Sequence, residues 1–432
     1  MEYAVLGGGA LGLTVALRLL QAGERATVYE REPEAGGLAA GFRIDGAWLE
    51  KFYHHLFRSD KAMQRLIGEL GLADRLVWPR PRTVVLWQGK THLLDSPLAF
   101  LRFPPLNPVE RVRQAAVMGL LRYGPVGPLE GKRAAPWLRR WMGEGPYRII
   151  WEPLLRGKFG ACEEEIALPW FWARLHDRST ELGYLRGGFQ QVYERLVERI
   201  AALGGEVRLG AAVSRVATGD GGTLVVTTAC GERRFDRVVS TLPPRLTCRL
   251  VPELPGDYRA RYDWGRAYGA HCLILALDRP LTDAYWLNVN DPGYPFLALV
   301  EHTNYMPPED YGGRRLLYLG NYRPMDDPLF KQSKEEVLAE FLPHLARLNP
   351  AFAPDWVTES WLFAAPFAQP IVTTDYKEHI PPFETPLAGL YEASMFQVYP
   401  HDRGQNYSVL LAEELVGRLT GDRAWERGSA GA

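Results

Sequence analysis

The apolar positions fall into a regular order from the first residues. Residues 2–6 form a short apolar run that predicts a buried strand. Leu11, Val15, Leu19 and Leu20 then recur at helical spacing until Gly23, which predicts a helix with a glycine stop. Residues 25–29 predict a second strand. Farther on, the pattern predicts a helix over 63–72, an amphipathic helix over 192–203 and a strand opening at Gly204-Gly205. Residues 211–216 and 224–228 alternate as strands across the turn Gly219-Asp220-Gly221-Gly222. Residues 237–242 form a buried strand that breaks at Pro243-Pro244, and 296–300 and 316–319 predict further strands. A last strand over 390–393 precedes a helix from about 407 to 419, whose buried side is expected to carry Leu410, Leu411, Leu415 and Leu419.

Composition narrows the class of protein. The chain has 432 residues, 47% hydrophobic and 23% charged, which fits two or three packed domains and excludes a disordered chain. Gly 43 and Pro 33 exceed the usual share and point to many turns. Fifty basic against 51 acidic side chains leave a net charge of -1, so no global field recruits nucleic acid. Cys162, Cys230, Cys248 and Cys272 are far apart, with no metal-ligand spacing; neither a disulfide framework nor a zinc site is expected. No run of eighteen apolar residues is present, so no transmembrane helix is expected. A soluble cytoplasmic enzyme acting on a small molecule is the resulting expectation.

Chemistry enters at the first turn. Gly7-Gly8-Gly9-Ala10-Leu11-Gly12 lies between the first strand and the first helix, and Glu30 ends the second strand. Strand, GxGxxG, helix, strand and acid are in the order of a dinucleotide-binding Rossmann unit. The glycines let backbone approach a pyrophosphate at a helix N-terminus, and the acid accepts the ribose hydroxyls. A 2'-phosphate would be repelled by Glu30. Gly36-Gly37 then brings a second loop of bare backbone to the diphosphate, a device of flavin enzymes more than of nicotinamide enzymes.

These residues resemble the FAD-binding start of the amine oxidase, protoporphyrinogen oxidase and phytoene desaturase superfamily, which UDP-galactopyranose mutases share. The resemblance extends over 187–244 and beyond 387. It implies an α/β FAD-binding domain of the glutathione-reductase kind, discontinuous over 1–90, 185–255 and 375–432. An α+β substrate domain is expected from 91–184 and 256–374. It further implies that FAD is held by Gly7, Gly9, Ala10, Leu11, Gly12, Glu30, Arg31, Gly36, Gly37 and Leu38. Val213 and Thr241 are implied on the adenine side, and Asp402, Arg403, Gly404 and Asn406 where the chain returns to complete the site. Leu38 and Ala39 stand where these families usually carry Arg. Ala393-Ser394-Met395 replaces the Ala-Gly-Glu usual in amine oxidases, which argues against amine oxidation.

On the substrate side, His54 and His55 follow the first FAD block. With pKa values near neutrality they are candidates to move protons or bind phosphate. His302, Asn304, Asn321 and Tyr322 stand at strand ends, where pockets are built, and Trp361, Phe396 and Tyr399 are candidates for the same site, with Phe363, Phe367 and Gln369 expected to line the cavity beside Trp361. Residues 97–150 hold nine basic and three acidic side chains interleaved with aromatics. That segment is read as helices with a solvated basic face, with a rim for an anion or a peripheral membrane contact as the alternatives. The expected activity is hydride transfer from an organic substrate (porphyrinogen-, isoprenoid- or glycan-like) to flavin N5. The alternative is a redox-neutral nucleotide-sugar mutase; a nicotinamide-only dehydrogenase is disfavoured by Gly36-Gly37 and by the C-terminal return.

Overall fold

The computed structural model describes residues 1–263 and 265–421. Its first layer is a five-stranded parallel sheet in the order Leu390–Glu392, Arg237–Ser240, Glu2–Leu6, Arg25–Tyr29, Glu206–Arg208. The chain leaves the central strand on one side and returns on the other, so the order reverses beside Glu2–Leu6. A crevice outside the carboxyl ends of the strands at such a switch point is where ligands bind in open α/β sheets. Helices Ala10–Gln21, Gln190–Ala202 and Gln405–Thr420 cover this sheet, with Leu13, Leu17, Val192, Leu196, Val409 and Val416 all fully buried. Each such aliphatic side chain contributes about 1.5–3 kcal/mol by leaving water. Arg18 joins three helices at their backs, bonding Glu69 at 2.8 Å and Glu413 at 3.0 Å, while Arg65 reaches Glu413 at 3.2 Å.

The parallel sheet thus draws its strands from remote segments of the chain, and single residues differ from the expected pattern. The last helix begins at Gln405, two residues early, which leaves Gly404 as its N-cap. Of the four leucines expected inside, Leu415 is buried and Leu411 and Leu419 pack against the core, while Leu410 points outward at 39% exposure and Val409, Ala412 and Val416 complete the buried face. The antiparallel pair Val213–Thr218 and Leu224–Thr228 gains a third strand, Gly231–Phe235.

A second, seven-stranded sheet runs in the order Val357–Pro370, Ala267–Leu277, Arg315–Arg323, Ala298–Glu301, Trp286–Val289, Thr83–Trp87, Lys90–Leu93. The hairpin over 83–93 therefore pairs with this sheet, through Thr83–Trp87 on Trp286–Val289, and the expected boundary at 90 would cut it. The segment 422–432 of the expected C-terminal piece lies outside the described residues. A helical layer, with Pro108–Tyr123, Ala134–Met142, Glu152–Phe159 and Leu168–His176, packs around Phe103, Leu138, Tyr147, Phe159 and Trp170. The outward face of Pro108–Tyr123 is mainly apolar, with Val109, Val112, Ala116, Leu120 and Tyr123 exposed beside Arg113, in place of the basic solvated face expected. All four cysteines are free thiols. No described helix is long and apolar enough to cross a membrane.

Candidate functional site

The glycine loop shows two kinds of glycine. At Gly12 an added methyl would lie 2.0 Å from the Gly7 carbonyl oxygen, so that residue serves the packing of helix on strand. At Gly9, whose φ is -79°, it would meet nothing closer than 3.9 Å. The protein itself does not demand glycine there, and the space beside it is an open cradle that could admit a ligand. The helix behind it starts at Ala10 without a side-chain cap, so its first amides, including those of Ala10 and Leu11, are available to an anion.

Glu30 is 8% exposed and closes this end. It accepts from the Gly8 amide at 2.6 Å and the Glu32 amide at 2.9 Å, and each oxygen keeps a further lone pair. The second loop is laced to the first, the Gly36 amide donating to the Gly8 carbonyl at 2.8 Å. Gly37 faces solvent and Leu38 is half-exposed beside it. Ala211 donates to the Glu30 carbonyl at 2.7 Å, which brings the start of Val213–Thr218 next to the acid. Thr241 holds the Leu6 carbonyl at 2.8 Å and wedges against Gly7. Arg31 points into solvent at 63% exposure, paired with Glu32. Asn406 accepts from the Met63 amide at 3.1 Å and so anchors the helix Lys61–Glu69, a task the sequence reading did not give it. These donors and this cradle fit an FAD diphosphate and ribose.

A second constellation joins three parts of the chain. Asp402, from the C-terminal return, accepts from Lys158 Nζ at 3.3 Å, Arg174 at 3.4 Å and Trp170 Nε1 at 3.3 Å. Lys158 also donates to Gln369 at 3.0 Å. Arg403 donates to the same Gln369 oxygen and to the Tyr322 hydroxyl at 2.9 Å. Tyr53 lies beside Tyr322, and His54 is close enough to Arg403 to feel its charge. Burial would raise Asp402, but Lys158, Arg403 and Arg174 hold its carboxyl far below the usual range. Burial lowers Lys158 to about 8 although Asp402 opposes it. Burial would also raise the Tyr322 phenol, yet Arg403 and Lys158 hold it below its ordinary value. Three cations thus face one carboxylate. Lys158 is 10% exposed, Arg174 and Arg403 20% and Asp402 25%, so the cluster is largely but not wholly withdrawn from solvent.

The histidines differ from expectation. His54 Nδ1 lies 2.6 Å from the Phe52 carbonyl, and burial lowers its pKa to about 4. His55 is lowered to about 3 by burial and by Arg178, and its Nδ1 has no hydrogen-bond partner among the described residues. Both are neutral at pH 7, so neither serves as a cationic phosphate contact; the desolvation that the linear pattern cannot register decides this.

Other expected substrate residues are engaged elsewhere. His302 bonds the Tyr311 hydroxyl at 2.8 Å in a buried chain that continues through Tyr184 to Glu50. Asn304 ties the Thr282 and Ala284 carbonyls at 2.9 Å, and Asn321 the Pro295 carbonyl at 2.6 Å. Trp361 packs on Phe42 with centroids 5.3 Å apart, whereas Phe396 is buried and Tyr399 donates to Glu130 at 2.9 Å. Of the seven, only Tyr322 stands in the cationic constellation, together with Gln369, which was expected to line the cavity beside Trp361. Lys158, Trp170 and Arg174 were missed. The available signal was Arg174, one turn after Trp170 in the helix Leu168–His176, whose other residues up to Leu175 are apolar.

Comparison with known proteins places these features in context. A family model described as flavin containing amine oxidoreductase matches residues 12–401. The 15-cis-phytoene desaturase of Glycine max is 27% identical over 256 residues, covering 52% of this chain and 44% of that one. The coproporphyrinogen III oxidase of Propionibacterium freudenreichii subsp. freudenreichii is 26% identical over 203 residues, covering 43% and 38%. The chain therefore spans less than half the length of these two curated relatives. A reduced UDP-galactopyranose mutase structure superposes with a TM-score of 0.77 at 16% identity, covering 98% of this chain and 96% of that one, a likeness of fold.

Proposed function

The chain belongs to the flavin-containing amine oxidoreductase family, and on that premise we propose that it is an FAD-dependent oxidoreductase that dehydrogenates an organic substrate carrying an anionic group. The observation that carries this reading is the excess of two positive charges where Lys158, Arg174 and Arg403 surround Asp402. Partly desolvated like charges are costly unless something neutralises them, and the adjacent helix start at Gly404 adds its own partial positive charge. A carboxylate or phosphate on the substrate supplies the missing charge, as a free amine cannot.

The two glycine loops, Glu30 and the strand beginning at Val213 would hold the adenosine diphosphate part of FAD. The Asp402-Arg403-Gly404 return would face its flavin end. The chemistry FAD supplies when bound is acceptance of two electrons, with a proton, from a C–H bond. The chain's own residues do the rest. Lys158 and Arg174 bind the anionic group, and Arg403, held by Gln369 and Tyr322, fixes the orientation. His54 must donate from Nδ1 to the Phe52 carbonyl, which leaves the lone pair on Nε2 to accept a proton. Within this reading the segments over 1–80, 185–255 and 375–421 form the cofactor part and the rest the substrate part.

A second reading, redox-neutral turnover of a nucleotide sugar, draws on the same cluster, since a diphosphate would also neutralise two charges. The test is anaerobic bleaching of bound flavin by matched anionic and neutral compounds. Bleaching by anionic members alone is expected, and Lys158→Met should raise KM by about tenfold or more while flavin content is unchanged. Bleaching by neutral amines would overturn the anionic assignment. Turnover of a UDP-sugar only after dithionite reduction would select the second reading.

A further inference from the structure

The described surface carries thirteen exposed large hydrophobic side chains, and eight of them lie between Leu93 and Trp141. Within Pro108–Tyr123, Val109, Val112, Leu120 and Tyr123 are 76%, 65%, 58% and 87% exposed, and Ala116 is exposed with them. Their spacing of three, four, four and three residues puts them in one stripe along the outer face of the helix. The inner face of the same helix is buried through Gln114, Val117 and Leu121. A helix apolar on its inner face and again on its outer face is built to be covered on both.

The stripe has neighbours of the same kind. Leu98 and Leu101, 54% and 43% exposed, come from the adjoining helix Pro97–Leu101, and Trp141 is 48% exposed. Arg113 donates to the Trp141 and Arg140 carbonyls, which fixes that corner beside the outer helix. Arg102, directly after Leu101, and Arg140 are exposed, and neither forms an ion pair among the described residues. The segment 97–150 has nine basic and three acidic residues in a chain whose net charge is -1.

We propose that this face seats the protein on an anionic lipid surface, the apolar stripe entering the headgroup boundary and the arginines meeting lipid phosphates. Charge complementarity selects this occupant, because basic residues bordering apolar side chains are the pattern of interfacial helices. A second copy of the chain is disfavoured: a twofold contact would bring the same uncompensated arginines together around its edge. The inner side of the outer helix packs on Leu168–His176, with Arg122 bonding the Leu175 carbonyl and Trp172 the Gly124 carbonyl, both at 2.8 Å. That second helix supplies Trp170 and Arg174, so the lipid-facing stripe and the cationic site lie on opposite sides of one helical layer.

The experiment is cosedimentation of the full flavin-loaded chain with phosphatidylcholine vesicles, with or without phosphatidylglycerol. Binding is expected with the anionic vesicles, weakened by salt. The double variant V112E/L120E should lose about tenfold or more in binding with flavin content intact, and R102E/R140E should lose the preference for anionic lipid. No sedimentation with either vesicle, or wild-type binding by V112E/L120E, would overturn the proposal. Equal binding to both vesicles would overturn the choice of an anionic surface. A wild-type dimer that V112E/L120E converts to a monomer, seen by analytical ultracentrifugation, would assign the face to a second copy.

Discussion

A hydrogen bond of 2.6 Å to the Phe52 carbonyl fixes the tautomer of His54, and burial fixes its charge. With a pKa of about 4 it stays neutral throughout the range in which an enzyme is assayed, so it contributes no inflection near 6.5. Within the cationic cluster the group that titrates in that range is Lys158, lowered by burial to about 8. It is cationic below that value and loses its charge as pH rises through it. Under the proposed reading, KM for the anionic substrate should therefore climb above pH 8 in the wild type. Lys158→Met should show a high KM at all pH values, and Lys158→Arg should restore affinity and abolish the alkaline rise. A flat KM profile in the wild type would remove Lys158 from the binding site. His54→Ala should lower kcat without moving that midpoint. Neither histidine's state was legible in the linear order, where an adjacent pair signals only that imidazoles are present. Their charge depends on how much protein surrounds them.

At the scale of elements, the loop between the first strand and helix separates cofactor binding from folding. Gly12→Ala would press a methyl against the Gly7 carbonyl oxygen, an overlap that backbone cannot relieve, and should lower the thermal midpoint by several degrees, about 1–3 kcal/mol. Gly9→Ala meets no protein atom closer than 3.9 Å at an ordinary φ. It should leave the thermal midpoint of the flavin-free protein unchanged and weaken FAD retention at least about tenfold, because the methyl occupies the cradle. Flavin absorbance after gel filtration measures the second effect; full retention would show that the cradle is not used. The strand-loop-helix order itself was fully legible, since it rests on neighbours in sequence. The outer face of Pro108–Tyr123 was not. Both of its faces carry apolar residues, so periodicity alone could not tell which one the rest of the protein covers.

At the scale of the whole molecule, buried ionisable groups set the dependence of stability on pH. Burial raises Glu50 and Glu301 to about 7 and Glu392 to about 8. The folded state therefore binds more protons than the unfolded state above pH 4.5, and their contribution to stability falls as pH rises toward 8. Burial lowers His54 and His271 to about 4, and His55 and His302 to about 3. Their contribution has the opposite sign and is complete once pH exceeds about 6.5, the unfolded value. Between 6.5 and 8 the three acids lose protons while Lys158, lowered to about 8, acts in the opposite sense only near the top of the window, so the thermal midpoint should fall with rising pH there. Glu392→Gln should flatten the fall, since Glu392 Oε1 has no partner among the described residues and its other oxygen relies on Tyr258 at 3.2 Å. A midpoint that rises from pH 6.5 to 8 would contradict the burial of these acids. The sequence by itself determined the parallel sheet, the glycine loops, Glu30 and the family resemblance, because each is written in residues adjacent or evenly spaced along the chain. The tertiary structure alone brought Lys158, Arg174, Gln369, Asp402 and Arg403 to within hydrogen-bond reach across more than two hundred residues. It alone decided which apolar stripe faces outward and which acids are dry, since charge balance and burial depend on distances in space that no local pattern encodes.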